Sequence, residues 1–456
     1  MIVQRIISFN ASIFSPIAEG HVYCSPLLWG DHSRAYTHRI FIRESAVASN
    51  VRNPKPPYAI VIGLDGMNGI QTARILAHRK VPVLAIAKDP KHPCCRTNVC
   101  ESIMHGNTGN EELIGILETL GPKLDQKAVL FPCTDMNVLC VSRYRERLEE
   151  WYHVILPPPQ VVDMLTNKIR FYTYAQENGF PIPPTFFLRN REDAEHAANS
   201  LTYPCILKPP LSALPEWERQ SKLKAFVVTN ASQLLATYDR FSTLAETMIV
   251  QEWIEGPISN LFSCNCYFDA NSEPVVTFIA RKIRQWPPDT GESSLGVECR
   301  NDIVLEETLR LFRSVKYRGL GYLEMKKDER TGRHFIIEPN IGRPTGRSAI
   351  AEAGGVELVY TMYCDALGWP LPENRVQQYG NVKWVSLRRD CQSALYHWRR
   401  GDITLADWWN SWRGRKTYDL FSWSDLKPFF GDLERAVRLY LSPDERRKRD
   451  YKNPLS

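Results

Sequence analysis

Three consecutive prolines, Pro157, Pro158 and Pro159, divide the chain into two parts that cannot share one element. Such a run continues neither a helix nor a central strand, because each ring removes an N–H and fixes φ. Before it, YAIVIGLDGMNGIQTARILAHRKVPVLAI (58–86) places a short apolar run ahead of a Gly-rich turn, a helix-like stretch and a second apolar run. That is the βαβ opening of a doubly wound domain, and AVLFPCTD (128–135) supplies another strand. Asp135 then stands at a strand's carboxyl end, where open α/β sheets place their sites.

After the prolines, MLTNKIRFYTYAQENGF has helical spacing and ends near Gly179. From about 185 to 345 the strand candidates PCILKP, MIVQEWI, LFSCNCYF, VVTFIA, GYLEMKK and HFIIEPN dominate. Several alternate at period two, as antiparallel strands with one buried face do. Helices are expected over 302–316 and 348–367. The fold class is therefore α/β followed by α+β. Boundaries are a leader of uncertain structure over 1–57, an α/β domain over 58–157, an α+β domain over 158–370, and a Trp/Arg-rich C-terminal extension over 371–456. Trp384, Trp398, Trp408, Trp409, Trp412 and Trp423 fall in that extension. They read as indoles packing on the preceding domain, against the alternative of a partner or membrane-headgroup surface. The terminal ERRKRDYK reads as a solvated end.

Composition excludes several classes. The net charge of +6 over 456 residues does not call for nucleic acid. No apolar run reaches about 18 residues, so no spanning helix is expected. The 12 Cys are irregularly spaced and match no zinc-ligand pattern, which suits free thiols in the cytoplasm. Gly63, Gly66 and Gly69 form G-x-x-G-x-x-G, not the G-x-G-x-x-G of a dinucleotide site. A helix N-terminus there can still hold a carboxylate or phosphate.

The residues suited to chemistry are ordered along the chain. Lys168 lies on a helix, and Lys208 ends the strand CILKP, where a compact mobile charge suits nucleotide phosphates. Gln251-Glu252-Trp253-Ile254-Glu255-Gly256 closes an apolar strand with acids, as a purine edge and a ribose require. Glu324 and Glu338-x-Asn340 lie on two strands joined by a turn. Residues two apart on a strand share a face, so Glu338 and Asn340 point together with Glu324 beside them. Two carboxylates and an amide oxygen are hard ligands suited to Mg²⁺. Arg281, Lys282 and Arg343 flank this hairpin and could neutralise charge during phosphoryl transfer. WPPDTGESS (286–294) is expected to be a mobile loop over the site. The ten scattered His show no triad partner.

Lys168, Lys208, Gln251-Glu252-x-x-Glu255-Gly256, Glu324 and Glu338-x-Asn340, in this order, resemble the ATP-grasp superfamily over roughly residues 58 to 430. The strings TNKIRFYTYAQENGFPIPPT, CILKP, RKIRQWPPDTGESS, EPNIGRPTGRS and FSWSDLKPFF are closest to carboxylate–amine ligases that include D-aspartate ligases. The resemblance implies a pre-ATP-grasp domain followed by two subdomains that clasp ATP. It implies ATP contacts from Lys168, Lys208, Gln251, Glu252, Trp253, Ile254 and Glu255. It implies Mg²⁺, as two ions with Mn²⁺ as a substitute, on Glu324, Glu338 and Asn340, and phosphate contacts from Arg281, Lys282 and Arg343. The expected reaction joins a small-molecule carboxylate, through an acyl phosphate, to an amine such as an amino acid or cell-envelope precursor. The alternative is an inactive ATP-binding sensor or scaffold. Family members often carry E-x-N-P-R; here Arg343 lies three residues past Asn340, and Trp253 is bulky for an adenine slot.

Overall fold

The computed structural model describes residues 55–210, 225–288 and 291–441. Nearly all of the leader, Asp289 and Thr290 of the expected loop, and ERRKRDYK lie outside the described residues.

The first sheet has β1 (Ala59–Ile62), β2 (Val83–Ala87), β3 (Ser102–His105), β4 (Ala128–Pro132) and β5 (Tyr152–His153) in the order β3-β2-β1-β4-β5. Every described pairing in it is parallel. Helices cover both faces, so β1, β2 and β4 are buried at every position, as a near-continuous apolar sequence demands. The order reverses beside β1, and the crevice at the carboxyl ends of β1 and β4 is the switch point. Gly63, directly after β1, has φ +90°. A Cβ on Gly69 would stand 2.3 Å from the Gly63 carbonyl oxygen, so the turn closes only without side chains.

The second sheet, β6-β9-β7-β8, is antiparallel: β6 (Thr185–Leu188), β7 (Cys205–Lys208), β8 (Phe226–Val228) and β9 (Met248–Glu252). It packs Leu207, Val250 and Met248 on Ala194, Ala197 and Leu234 of two helices.

The third sheet has seven strands, β14-β13-β10-β11-β12-β15-β16. They are β10 (Leu261–Phe268), β11 (Pro274–Trp286), β12 (Glu292–Glu298), β13 (Gly319–Lys327), β14 (His334–Ile341), β15 (Lys383–Val385) and β16 (Lys416–Tyr418). Its inner face buries Cys264, Cys266, Phe268, Leu323 and Ile336 against Phe312 of the helix Asp302–Ser314. The helix expected over 348–367 is broken into Ala349–Ala353 and Leu358–Ala366. Gly355 takes φ +83° between them, a conformation that ends a helix.

The expectation of a loop over 286–294 is corrected in part. Trp286 pairs with Glu292 and Gln285 with Ser293, and Ser293 and Ser294 are buried within β12. These residues are the end of a β-hairpin whose backbone is held by the ladder.

The stretch from residue 371 is joined to this sheet through β15 and β16, with Trp384 only 2% exposed. A buried carboxylate anchors it. Asp390, on the helix Leu387–Arg399, accepts two hydrogen bonds from Arg284 of β11 (2.9 and 2.8 Å) and one from the Ser294 hydroxyl (3.1 Å). The indole N–H groups of Trp408 and Trp412 also donate to it, at 3.0 and 2.6 Å. Five donors satisfy a charge that burial would otherwise penalise heavily. Asp390→Ala strands the Arg284 guanidinium and is expected to destabilise the fold by about 3 kcal/mol or more. Urea denaturation measures this, and a loss below about 1 kcal/mol would deny the cluster its anchoring role.

Candidate functional site

The acidic hairpin forms as its sequence requires. Glu324 and Glu338 are direct partners in the β13–β14 ladder, and Asn340 lies opposite Tyr322. The register shifts after Glu324, so Ile337 has no ladder partner. Its freed carbonyl accepts the Tyr172 hydroxyl at 2.8 Å. A bulge of this kind re-aims neighbouring side chains and here fastens the hairpin to the helix Lys168–Glu177.

That helix brings in both lysines. Lys168 is its first residue, just after Asn167, whose side chain caps the Ile169 and Arg170 N–H groups. Lys208, at the end of β7, donates to Gln251 Oε1 at 2.8 Å and to the Tyr172 hydroxyl at 3.1 Å. Burial lowers the pKa of Lys168; the Glu338 carboxylate opposes that and the Lys208 charge adds to it. Burial likewise pushes Lys208 down to about 8, against the field of Glu338. Lys168, Lys208 and Glu338 are therefore close enough to act on one another electrostatically, and the Tyr172 hydroxyl links Lys208 to the Ile337 carbonyl beside Glu338.

Lys282 approaches from β11. Burial lowers its pKa, while Glu324 and Glu338 favour its charge and Arg347 disfavours it. Arg347 donates to the Ser263 hydroxyl at 3.1 Å and lies 3.7 Å from Glu324. Arg343 donates to Asn340 Oδ1 at 2.6 Å, to the Tyr322 hydroxyl at 2.9 Å and to Asp135 at 2.5 Å. The extra residue in EPNIGR is Gly342, with φ +66°. A Cβ there would fall 2.5 Å from Leu156, so glycine lets the chain turn Arg343 back toward Asn340.

Arg281 is not brought to this cluster. It pairs with Phe262 and Val297, and is exposed. Ser263, Glu324 and Ala280 are mutual ladder partners, so Lys282, two residues past Ala280, shares their face. Alternation sends Arg281 to the other face, which corrects its expected contact with the transferred phosphate.

The strand end after β9 is placed in the hinge between the second and third sheets, with roles that differ by residue. The Gln251 side chain is used internally, accepting from Lys208 and donating to the Thr185 hydroxyl at 2.8 Å. It positions the lysine and has no face left for a nucleotide. Glu252 accepts from the Thr202 N–H at 2.8 Å, and its own N–H goes to the Pro184 carbonyl. The Trp253 N–H goes to the Pro204 carbonyl, and its ring lies 5.3 Å from the Lys326 ammonium. Ile254 is buried and Glu255 exposed at the rim.

Three neighbours lay outside the sequence-based assignment: Tyr172, Tyr322, and Asp135 as the partner of Arg343. GRPTGRS contains Arg347, but only the fold reveals its approach to Glu324. The Gly-rich turn joins the same region, because Asn68 donates to the carbonyls of Cys133 and Pro344, both at 3.0 Å.

A divalent cation fits this donor set. Two cross-strand carboxylates repel one another unless a cation sits between them. A cation would bind Asn340 through Oδ1, which here accepts from Arg343, while the orphaned Nδ2 is a donor and does not bear on the ion. Oxygen ligands of this kind, few in number, are what Mg²⁺ takes from protein.

The three-sheet architecture is that of an ATP-grasp fold. Among curated proteins, the chain is similar to a D-aspartate ligase of Enterococcus faecium, at 23% identity over 232 residues, 49% of this chain and 55% of that protein. It is also similar to the carbamoyl phosphate synthase large chain of Hyperthermus butylicus, at 22% identity over 57% of this chain and 23% of that protein. The chain thus spans about half the length of the first relative and a quarter of the second. Among solved structures it is similar to N5-carboxyaminoimidazole synthetase from Staphylococcus aureus, with TM-score 0.54 and 15% identity over 69% of this chain and 78% of that one. Biotin carboxylase from Campylobacter jejuni gives TM-score 0.54 and 15% identity over 71% and 73%. No protein-family model matches the chain.

The lysine pKa makes a pH prediction. With a folded value of about 8 against 10.5 unfolded, the folded chain holds fewer protons between those limits. Burying the ammonium therefore costs stability below pH 8, and the cost is relieved as pH rises toward 10.5. Nucleotide binding needs the charged form and runs the other way. ADP affinity is expected to fall above pH 8, by up to about tenfold per unit, and to stay flat in Lys208→Arg. Calorimetric titration of ADP between about pH 7 and 9.5 checks it; a flat wild-type profile would remove Lys208 from the phosphate site.

Proposed function

We propose that this chain is an ATP- and magnesium-dependent carboxylate–amine ligase that releases ADP and phosphate. The observation that carries the reading is the closeness of Lys168 and Lys208 to Glu338, the ladder partner of Glu324. These groups would line one cleft. Lys168 and Lys208 would bind ATP phosphates, with Trp253 and Ile254 at the adenine edge and Glu255 at the ribose. Glu324, Glu338 and Asn340 would hold Mg²⁺, which when bound offsets phosphate charge.

A carboxylate oxygen attacks the γ-phosphorus, the bond to the β-phosphate oxygen breaks, and ADP leaves. The amine then attacks the acyl carbon, phosphate departs with the C–O bonding pair, and the amine gives up a proton. Positioning and charge neutralisation suffice, so no Ser, Cys or His nucleophile is needed. Lys282, Arg343 and Arg347 carry positive charge where the phosphoryl group would transfer. The similarity to a D-aspartate ligase favours an amino acid or cell-envelope precursor as substrate. Unpaired cysteines throughout the described residues suit a reducing cytoplasm.

The test is ADP release across a panel of carboxylates and amines, with hydroxylamine as a trapping nucleophile. A carboxylate-dependent hydroxamate is expected. ADP binding without turnover on any pair would instead favour the inactive sensor.

A further inference from the structure

Far from that cleft, a second group of cations gathers around an opening of about 510 Å³. It lies where the Pro-rich linker, the β10–β11 turn and the approach to β13 meet, and Arg145, Arg313, Lys316 and Arg318 line it. Arg313 is paired with Glu273 at 2.8 Å. Arg145 has only a looser pair, from its Nε to Glu149, and Arg318 has none among the described residues. Arg145 donates to the linker carbonyls of Leu156 and Pro157 at 2.9 and 2.8 Å, and its closest carboxylate, Glu149, is 3.8 Å away. Its Nε is buried without a hydrogen-bond partner. Arg318 makes no hydrogen bond or ion pair with any described residue, and its Nε is likewise buried and unpartnered.

Two unsatisfied guanidinium N–H groups in one recess are costly, because buried donors normally find partners. The charges also oppose each other: burial lowers the Arg145 pKa, Glu149 offsets part of that, and the Arg318 charge lowers it again. A multidentate anion at the opening would offset the gathered positive charge through the outer N–H groups of the guanidinium forks, not through the buried Nε atoms. The planar guanidinium fork matches phosphate oxygens, and Lys316 adds a point charge at the rim.

We propose that Arg145, Arg318 and Lys316 form a second ligand site, separate from the ATP cleft, for a phosphate-bearing small molecule. Separation follows from chain geometry. Arg145 is ten residues beyond Asp135, the Arg343 partner, along the helix Asp135–Arg143 and on to the next, or about 15 Å. Arg318 precedes Glu324 by six residues, almost all within β13, or about 20 Å. The helix Asp135–Arg143 therefore starts at the Asp135–Arg343 pair and ends two residues short of Arg145, which begins a separate short helix, Arg145–Leu148.

Inorganic pyrophosphate, titrated into the full chain saturated with ADP, is the probe. Wild type is expected to bind it and to melt at a higher temperature with it. Arg318→Gln is expected to bind about ten- to hundredfold more weakly. In anion-free buffer the same variant should melt no lower than wild type, since it loses no partner and relieves a repulsion. Lys316→Gln, on an exposed turn, should weaken binding without affecting folding. The site is overturned if wild type binds no pyrophosphate, if ADP displaces all of it, or if Arg318→Gln binds it equally well. A lower anion-free melting temperature for that variant would make Arg318 a structural residue and overturn the site too. None of these readings requires ligase turnover, so failure here is distinct from failure of the proposed reaction.

Discussion

Glu338→Ala is expected to reduce ADP production by at least roughly 10³-fold while the protein keeps its fold. The reason lies in what surrounds this carboxylate. It faces Glu324 across the β13–β14 ladder, and it is the group whose field supports the charge on Lys168, Lys208 and Lys282. Removing it takes one of two carboxylates from the proposed cation site and leaves three buried ammonium groups with less compensation. The fold is expected to persist with a lowered melting temperature, because Glu338 is only partly buried and the end of its like-charge contact offsets part of what the ammonium groups lose. Melting temperature and ADP release, measured side by side, separate the two effects. Near-normal turnover would dismantle the site assignment, and Glu338→Gln, equally uncharged, should behave like the alanine variant.

Lys208→Ala should lose a comparable factor, about 10²–10³, for a different reason. The ammonium is held by Gln251 and Tyr172 at the mouth of β7, so its position is set before any ligand arrives. A preplaced charge in a poorly hydrated cleft acts on phosphate more strongly than one in water. The substitution leaves Gln251 Oε1 without its donor, a loss of about 1 kcal/mol that relief of a buried cation largely offsets. The expected signature is a higher KM for ATP together with a lower kcat. Lys208→Arg should recover binding only in part, since a planar fork does not substitute for a compact ammonium. If Lys208→Ala left both constants unchanged, the lysine would be a structural residue of the β7 end.

Much of this site is legible in the chain because short-range rules govern it. The E-x-N string needs only strand alternation to place Glu338 and Asn340 together. A turn between two apolar runs is enough to set Glu324 opposite. Arg281 was placed in the cluster only because it flanks the hairpin in sequence and by resemblance, and neither tells which face of β11 it occupies. Ladder partners such as Ser263 and Glu324 fix which face a strand shows, and those partners lie tens of residues away. For Gln251 the side chain's partners were likewise out of reach of a local rule. Its strand end suggested a nucleotide contact, but Lys208 and Thr185 occupy its amide. Tyr172 carried no signal at all, since a tyrosine within an apolar helical face looks like core until the Ile337 bulge accepts its hydroxyl.

Local sequence by itself determined the parallel α/β opening, the antiparallel strands and the acidic hairpin, because periodicity and strand alternation act over a few residues. Tertiary structure alone decided which cations face the carboxylates, how Gly342 returns Arg343 to Asn340, and how Asp390 ties the Trp-rich end to β11. It also decided that Arg145 and Arg318 share one recess. Those outcomes depend on ladder partners, bulges and buried charges contributed by distant segments, and no local rule encodes where distant segments meet.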